Sequence, residues 1–436
     1  MNLSSMATST SFTANRFLHL VLAAYALVWV GAAIKPRDWL TWGLENILVI
    51  IFAGLLAATY RRFALSNLSY LLIAIFLSLH AVGTNTGYAH SPLGGWLKEL
   101  FGLSRNPYDR IIHFGFGFLL TYPFRELLMR TGNLRGWAAN WSPVSLILAA
   151  SIGFEVMESL VAEIVSPGTG PAWLGAQGDE WDMQLDLAAA LFGSLAATLI
   201  IGWREHVAPG LGSLSEWTAS SERGASVKEK PFRKRSLLQM LCVCYVIVWV
   251  VAAVDPVKRS DWLLENLLVF VCVPVLIFTY RRLPLSNSAY VFIFFFLIMH
   301  AAGAHYTYAE VPLGYWLKET FHLERNPFDR IVHFSFGLMA YPVHEVWVRI
   351  TKVHGFWVWL LPVSIVVSFS GFFEILEAII AMLVNPELGA AYLGLQGDVW
   401  DAQKDMALAI LGGVLVAVIG RRYFYERSCS SVTPSF

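Results

Sequence analysis

The chain repeats itself, and that limits its fold more than any other feature. Leu44-Glu45-Asn46 returns as Leu264-Glu265-Asn266, and Tyr60-Arg61-Arg62 returns as Tyr280-Arg281-Arg282. Trp96-Leu97-Lys98-Glu99 returns as Trp316-Leu317-Lys318-Glu319. Arg105-Asn106-Pro107, Asp109-Arg110 and His113-Phe114 also come back, each 220 residues further on. From Tyr122-Pro123, matched by Tyr341-Pro342, the offset is 219. One residue is therefore missing from the second copy, inside an apolar segment. Its loss would turn everything beyond it by about 100° unless the helix adjusts. We expect a bulge or widened turn between Phe114 and Tyr122, in the first copy only.

Each copy contains six apolar segments, which in the first run over 17–34, 46–60, 67–83, 110–130, 142–165 and 183–203. Of all residues 56% are hydrophobic and 14% charged, against about a quarter charged in a soluble domain. The fold class is thus all-α, a polytopic integral membrane protein of two tandem six-helix repeats, about 12 transmembrane helices in all. Residues 17–205 form the first repeat and 237–425 the second. The Ser/Thr-rich stretch 1–16 reads as a disordered tail, 206–236 as a basic cytoplasmic linker and 426–436 as a C-terminal tail. The first apolar segment has a twin in mid-chain, near 237–254, so it is read as a retained helix and not a cleaved signal. A net charge of zero gives no reason to expect nucleic acid as a partner; the partner is the lipid bilayer. Cys242, Cys244, Cys272 and Cys429 form no CxxC pair, which argues against a disulfide framework.

Basic residues in short loops set the expected orientation. Arg61, Arg62, Arg130, Arg135, the linker and Arg421, Arg422 and Arg427 share one side if six helices cross per copy. Both termini are expected in the cytoplasm, and the repeats to be related by an axis along the membrane normal.

With that topology the ionisable residues of the segments gather toward the outer side. Glu45 and Asn46 read as an N-terminal turn of the second helix, and His80 as a satisfied helix-end histidine. Asp109 and Asp179 read as helix caps. Five others are harder to dismiss, namely His113, Glu155, Glu158, Asp182 and Asp186. Their twins are His333, Glu374, Glu377, Asp401 and Asp405. Spacings of three and four place each carboxylate pair on one helix face.

So many carboxylates in a low dielectric need cations. Arg110 and Lys98 can supply two positive charges, as can Arg330 and Lys318. A divalent metal held by His113, Glu158, Asp182 and Asp186, or by His333, Glu377, Asp401 and Asp405, would supply more. Oxygen ligands with one imidazole suit Mn, Mg or Zn, and such an ion activates water or polarises a phosphoryl or acyl group. Three readings stay open. One is an outward-facing metal-assisted enzyme on an envelope or lipid-linked substrate; the others are an ion-coupled transporter and helix-to-helix glue in a structural or partner-binding protein. The loop 85–110, with Pro92, Gly94 and Trp96, reads as an interfacial segment or a lid.

At these residues the sequence resembles the bacterial inner-membrane family typified by YjdF, which has no assigned activity. The resemblance rests on Trp96-Leu97-Lys98-Glu99 and on Asn106-Pro107-Tyr108-Asp109-Arg110-Ile111-Ile112-His113-Phe114. Phe154-Glu155-Val156-Met157-Glu158 and the run from Leu174 to Asp186 extend it over nearly all of each copy. A member of that family is about one copy long, which implies a fused pair here. More loosely, Asp109 to His113 and Asp182 to Asp186 look like the VanZ-like group, linked with glycopeptide tolerance, in which amides tend to stand at Glu158 and Asp186.

Overall fold

The computed structural model describes residues 12–165, 177–207, 232–351, 353–383 and 398–430, with 423–430 as helix backbone. It divides into two compact units, Met1–Glu222 and Arg223–Phe436. Among the described residues the regular structure is helical, and nine helices are long and apolar enough to cross a membrane.

The first unit contains α1 (Arg16–Ala32), α2 (Trp39–Thr59), α3 (Asn67–Thr86), α4 (Pro92–Phe101), α5 (Tyr108–Thr131), α6 (Gly136–Val165) and α7 (Asp182–Val207). Local chemistry sets the starts. Asn15 accepts from the Leu18 N–H, Asp38 from Thr41 and Ser66 from Ser69, satisfying amides that have no partner within the helix. The cap at Asp38 starts α2 seven residues before the apolar run 46–60 expected from sequence. Glu45 therefore lies inside the helix and is not part of its opening turn.

Order also begins earlier than expected. Phe12–Ala14 form a 3-10 turn, and Asn15 Nδ2 donates to Asn67 Oδ1 at 2.8 Å. The second unit repeats this with a 3-10 turn at Phe232–Lys234 and Arg235 donating to the Leu285 carbonyl at 2.7 Å. The expected disordered tail and linker are thus corrected at residues 12–16 and 232–236; residues 1–11 and 208–231 lie outside the described residues. At the other end the last helix runs to Ser430, past the expected boundary at 425, and 431–436 lie outside.

Within the presumed loop 85–110 lies the amphipathic helix α4. Its turn at Gly102 adopts φ 61, where a side chain would be strained. Leu93, Trp96, Leu100 and Phe101 are exposed, while Gly94 packs against the side chain of Asn106. The interfacial reading of this segment is the one its helix fits.

In α5 and α7 the backbones come unusually close. A Cβ at Gly117 would strike the Ala190 carbonyl, and one at Gly193 would strike that of Phe114. The Thr121 and Ser194 hydroxyls share a hydrogen bond of 2.6 Å just beyond. Small residues and buried hydroxyls are how helices associate where lipid offers no hydrophobic drive. The two helices run parallel, so both begin at the end of the bundle remote from the unit's own termini, here called distal. At the proximal end Glu126 of α5 accepts from the Ser66 N–H at 2.8 Å and its hydroxyl at 2.7 Å, clasping the start of α3.

The second unit has α8 (Ser236–Ala253), α9 (Arg259–Thr279), α10 (Asn287–Tyr306), α11 (Pro312–Thr320), α12 (Phe328–Gly337), α13 (Ala340–Ile350), α14 (Trp357–Leu383) and α15 (Asp401–Ser430). Here the one-residue offset is resolved, in the copy opposite to the one expected. α5 is continuous over Phe114–Tyr122, whereas its counterpart is interrupted between α12 and α13. Leu338 N donates to the Ser335 carbonyl at 3.2 Å, Met339 to Phe336 at 2.8 Å and Tyr341 to Leu338 at 3.1 Å. Each of these bonds reaches back three residues. Overwinding in the shorter copy recovers part of the lost rotation, so no bulge is needed in the longer one.

Candidate functional site

The ionisable residues of the first unit converge at its distal end. Asp109 and His113 come from the first two turns of α5, Glu155 from α6, and Asp182 and Asp186 from the start of α7. His113 Nε2 lies 3.4 Å from Glu155 Oε1 and 3.9 Å from Asp109 Oδ1, and its Nδ1 is 3.4 Å from the Ser151 hydroxyl. His113, Glu155 and Asp186 each offer a ligand atom, all within 4.8 Å of one another, and Asp109, Asp182 and Asp186 form a second such group. Asp186 belongs to both. It is 3% exposed, and its Oδ1 has no hydrogen-bond partner among the described residues.

Glu158, expected among the ligands, is in neither group. It lies one turn beyond Glu155, within the electrostatic reach of Glu155, Glu45, Asp109 and Asp186. Asp109 does not cap α5 as expected, because Pro107 holds that position. Its carboxylate faces the cluster instead.

Lys98, expected to supply charge, lies in α4 and forms no ion pair with a described residue. The cation that does so is Arg105, which pairs with Asp182 and, at 3.2 Å, with Asp179. Arg110 pairs with Asp179. Asn106 fixes the Arg105 segment, with its N–H donating to Gln177 Oε1 at 2.9 Å and its Nδ2 to the Ser91 carbonyl at 3.0 Å. Burial raises the Asp179 carboxyl, but the Trp181 N–H and the Arg110 and Arg105 guanidiniums outweigh it and hold the group below its ordinary range.

Two residues read as bland also join the site. Glu45 Oε2 is buried without a hydrogen-bond partner, 4.0 Å from His80 Nε2. His80 Nδ1 meets the Tyr88 hydroxyl at 2.8 Å. By contrast Asn46 is structural, accepting from Trp29 Nε1 at 2.7 Å and donating to the Trp42 carbonyl at 2.7 Å.

The second unit builds a close relative. His333 Nε2 lies 3.7 Å from both Asp329 Oδ1 and Glu374 Oε1, and Asp329, His333 and Asp405 form a group within 4.8 Å. Arg325 pairs with Asp401, while Arg330 pairs with Asp398 and stands 3.8 Å from Asp401. Lys404 adds a bond to Asp398 at 2.9 Å, where the first unit has Leu185. Glu377 lies within reach of the charges on Glu374, Glu265, Asp329 and Asp405, and Lys318 pairs with no described residue. Tyr308 again meets its histidine, His300 Nδ1, at 2.6 Å. Two expected ligands, Glu377 and Asp401, are outside the group. The i, i+3 step carries Glu377 a turn away from His333, and Asp401 is tied to Arg325.

The family described as "Predicted membrane protein (DUF2238)" matches residues 17–207 and again 237–426. Inner membrane protein YjdF of Escherichia coli (strain K12) is 38% identical over 176 residues, 40% of this chain and 84% of that protein. No solved structure matches. The VanZ-like resemblance finds no support in these matches.

Proposed function

The chain belongs to the DUF2238 family of membrane proteins, and we propose that each of its repeats holds a divalent cation at its distal end. The cation would serve hydrolysis or group transfer on an envelope or lipid-linked substrate. The observation that carries this reading is the group His113, Glu155 and Asp186, from three different helices, with ligand atoms within 4.8 Å of one another. An imidazole with hard carboxylates suits Mn, Mg or Zn. Such an ion polarises the bond under attack or the attacking water. Asp109, 3.9 Å from His113 Nε2 and outside that group of three, is placed to accept the proton that the attacking water gives up. Glu158 and Glu45 can return a proton to the leaving oxygen. The charge asymmetry of the loops supports a distal end outside the cytoplasm, and the similarity to an inner membrane protein supports that membrane as the location.

Manganese titration of the full chain in detergent, followed by electron paramagnetic resonance, tests the reading. Two bound ions per chain are expected, and one after Asp186→Asn. Wild-type protein that takes up no Mn, Mg or Zn would end it.

A further inference from the structure

We propose that the distal site of the first repeat recognises a phosphoryl group, bound side-on by the guanidinium of Arg105. This deepens the metal reading above and rests on it. Arg105 is 7% exposed, and its pairs with Asp179 and Asp182 both run through Nη1. Nε and Nη2 have no hydrogen-bond partner among the described residues, although both are buried. These two nitrogens carry the parallel N–H bonds of the guanidinium side edge, the fork that fits two oxygens of one anion. A buried fork of this kind costs free energy unless an acceptor meets it.

A second donor points the same way. Arg110 is bound to Asp179 through Nη2, and its Nε is likewise buried without a partner among the described residues. Asp182 and Asp179 thus brace both guanidiniums while leaving N–H groups over. Asp182 also belongs to the acidic group with Asp109 and Asp186, so the fork and the candidate ligands share one carboxylate.

Charge narrows the class of ligand. Seven carboxylates (Glu45, Asp109, Glu155, Glu158, Asp179, Asp182 and Asp186) surround two guanidiniums, so an anion is repelled until a cation is in place. A carboxylate ligand has two oxygens, which the Arg105 fork would consume. A phosphate has three or four, enough to meet the fork, Arg110 and a divalent ion together. A lipid phosphate headgroup and free phosphate share this chemistry.

Linkage provides the test, because an anion that needs the cation must tighten it by the same factor. Manganese affinity is measured on the full chain carrying Asp405→Asn, so that only the first repeat titrates. Nanodiscs of phosphatidylcholine are used alone, with inorganic phosphate, with acetate, or with phosphatidic acid in the bilayer. Phosphate or phosphatidic acid is expected to tighten manganese about tenfold, and acetate not at all. Tightening by inorganic phosphate identifies a free anion, and tightening by phosphatidic acid alone identifies a lipid headgroup. Arg105→Lys keeps the charge but loses the fork and should abolish the effect while manganese still binds. Arg110→Gln, at a more exposed position, should reduce it. Thermal melting of each variant reports whether it is folded. Manganese binding that ignores both phosphates, or responds equally to acetate, overturns this inference and leaves the metal reading standing. Absence of manganese binding overturns both.

Discussion

The two repeats agree in their distal acidic sets and diverge at one proximal contact. Distally, Glu45, His80, Tyr88, Arg105, Asp109, His113, Glu155, Glu158, Asp182 and Asp186 all have identical twins. Proximally, the first repeat links Arg125 to Glu205 and, at 2.7 Å, to Asn140. The second stacks His344 on Trp359 with ring centroids 3.7 Å apart. Helix packing there accepts either a charged network or an aromatic pair. An apolar replacement of buried charges is often neutral or stabilising, yet neither copy has made that exchange at the distal end. The metal site proposed above would account for that restraint.

Four experiments would break or sharpen this contrast. The largest effect is expected where the copies share a close backbone approach. Gly193→Leu and Gly412→Leu should each cost about 3 kcal/mol by forcing paired helices apart, read as denaturant unfolding in detergent. Tolerance in one repeat alone would mean the approach is not a common requirement. Next comes Arg125→His, which leaves Glu205 short of its cation and should cost about 2 kcal/mol. The corresponding His344→Arg has no described acid to meet and should not restore an equivalent network.

Smaller again is a charge exchange across the acidic sites. Leu185→Lys should weaken manganese in the first repeat about tenfold, and Lys404→Leu should strengthen it in the second by a similar factor. Equal affinities in the wild type and both variants would show that Lys404 is electrostatically irrelevant. The smallest effect concerns pH. The Asp179 carboxyl is held low in the folded protein, so its contribution is complete above its unfolded value of about 3.9 and fades as pH falls through the folded value. The difference in melting temperature between wild type and Asp179→Asn should be flat from about pH 5 to 8 and shrink below about pH 4. A difference that instead grows in acid would contradict the pairing with Arg110 and Arg105.

Much of the fold was legible because duplication doubles every signal. The segments around 67–83, 110–130 and 183–203 each fall within a helix of the structure. That the acidic residues gather at one end of the bundle also followed from counting helices. What hydropathy hides is where helices begin. Asp38 and the tryptophans after it lie outside an apolar run, so α2 was expected to start late and Glu45 was misread as a terminal residue. Arg105 was missed for a related reason: it sits in a connection, where arginine ordinarily faces water. Its signal was the return of Arg105-Asn106-Pro107 as a unit, since only a fixed connection needs both the arginine and the asparagine that pins it. Choosing Glu155 over Glu158 as the neighbour of His113 required helix rotation, which residue spacing along one helix does not give.

The break at Leu338 and Met339 has a consequence of its own. Above it, α12 answers to the acid residues around His333; below it, α13 is anchored through Glu345 to Ser286, as Glu126 is to Ser66 in the other copy. One residue fewer, taken up within one coil of backbone, leaves the second copy with two shorter rods where the first has a single long one.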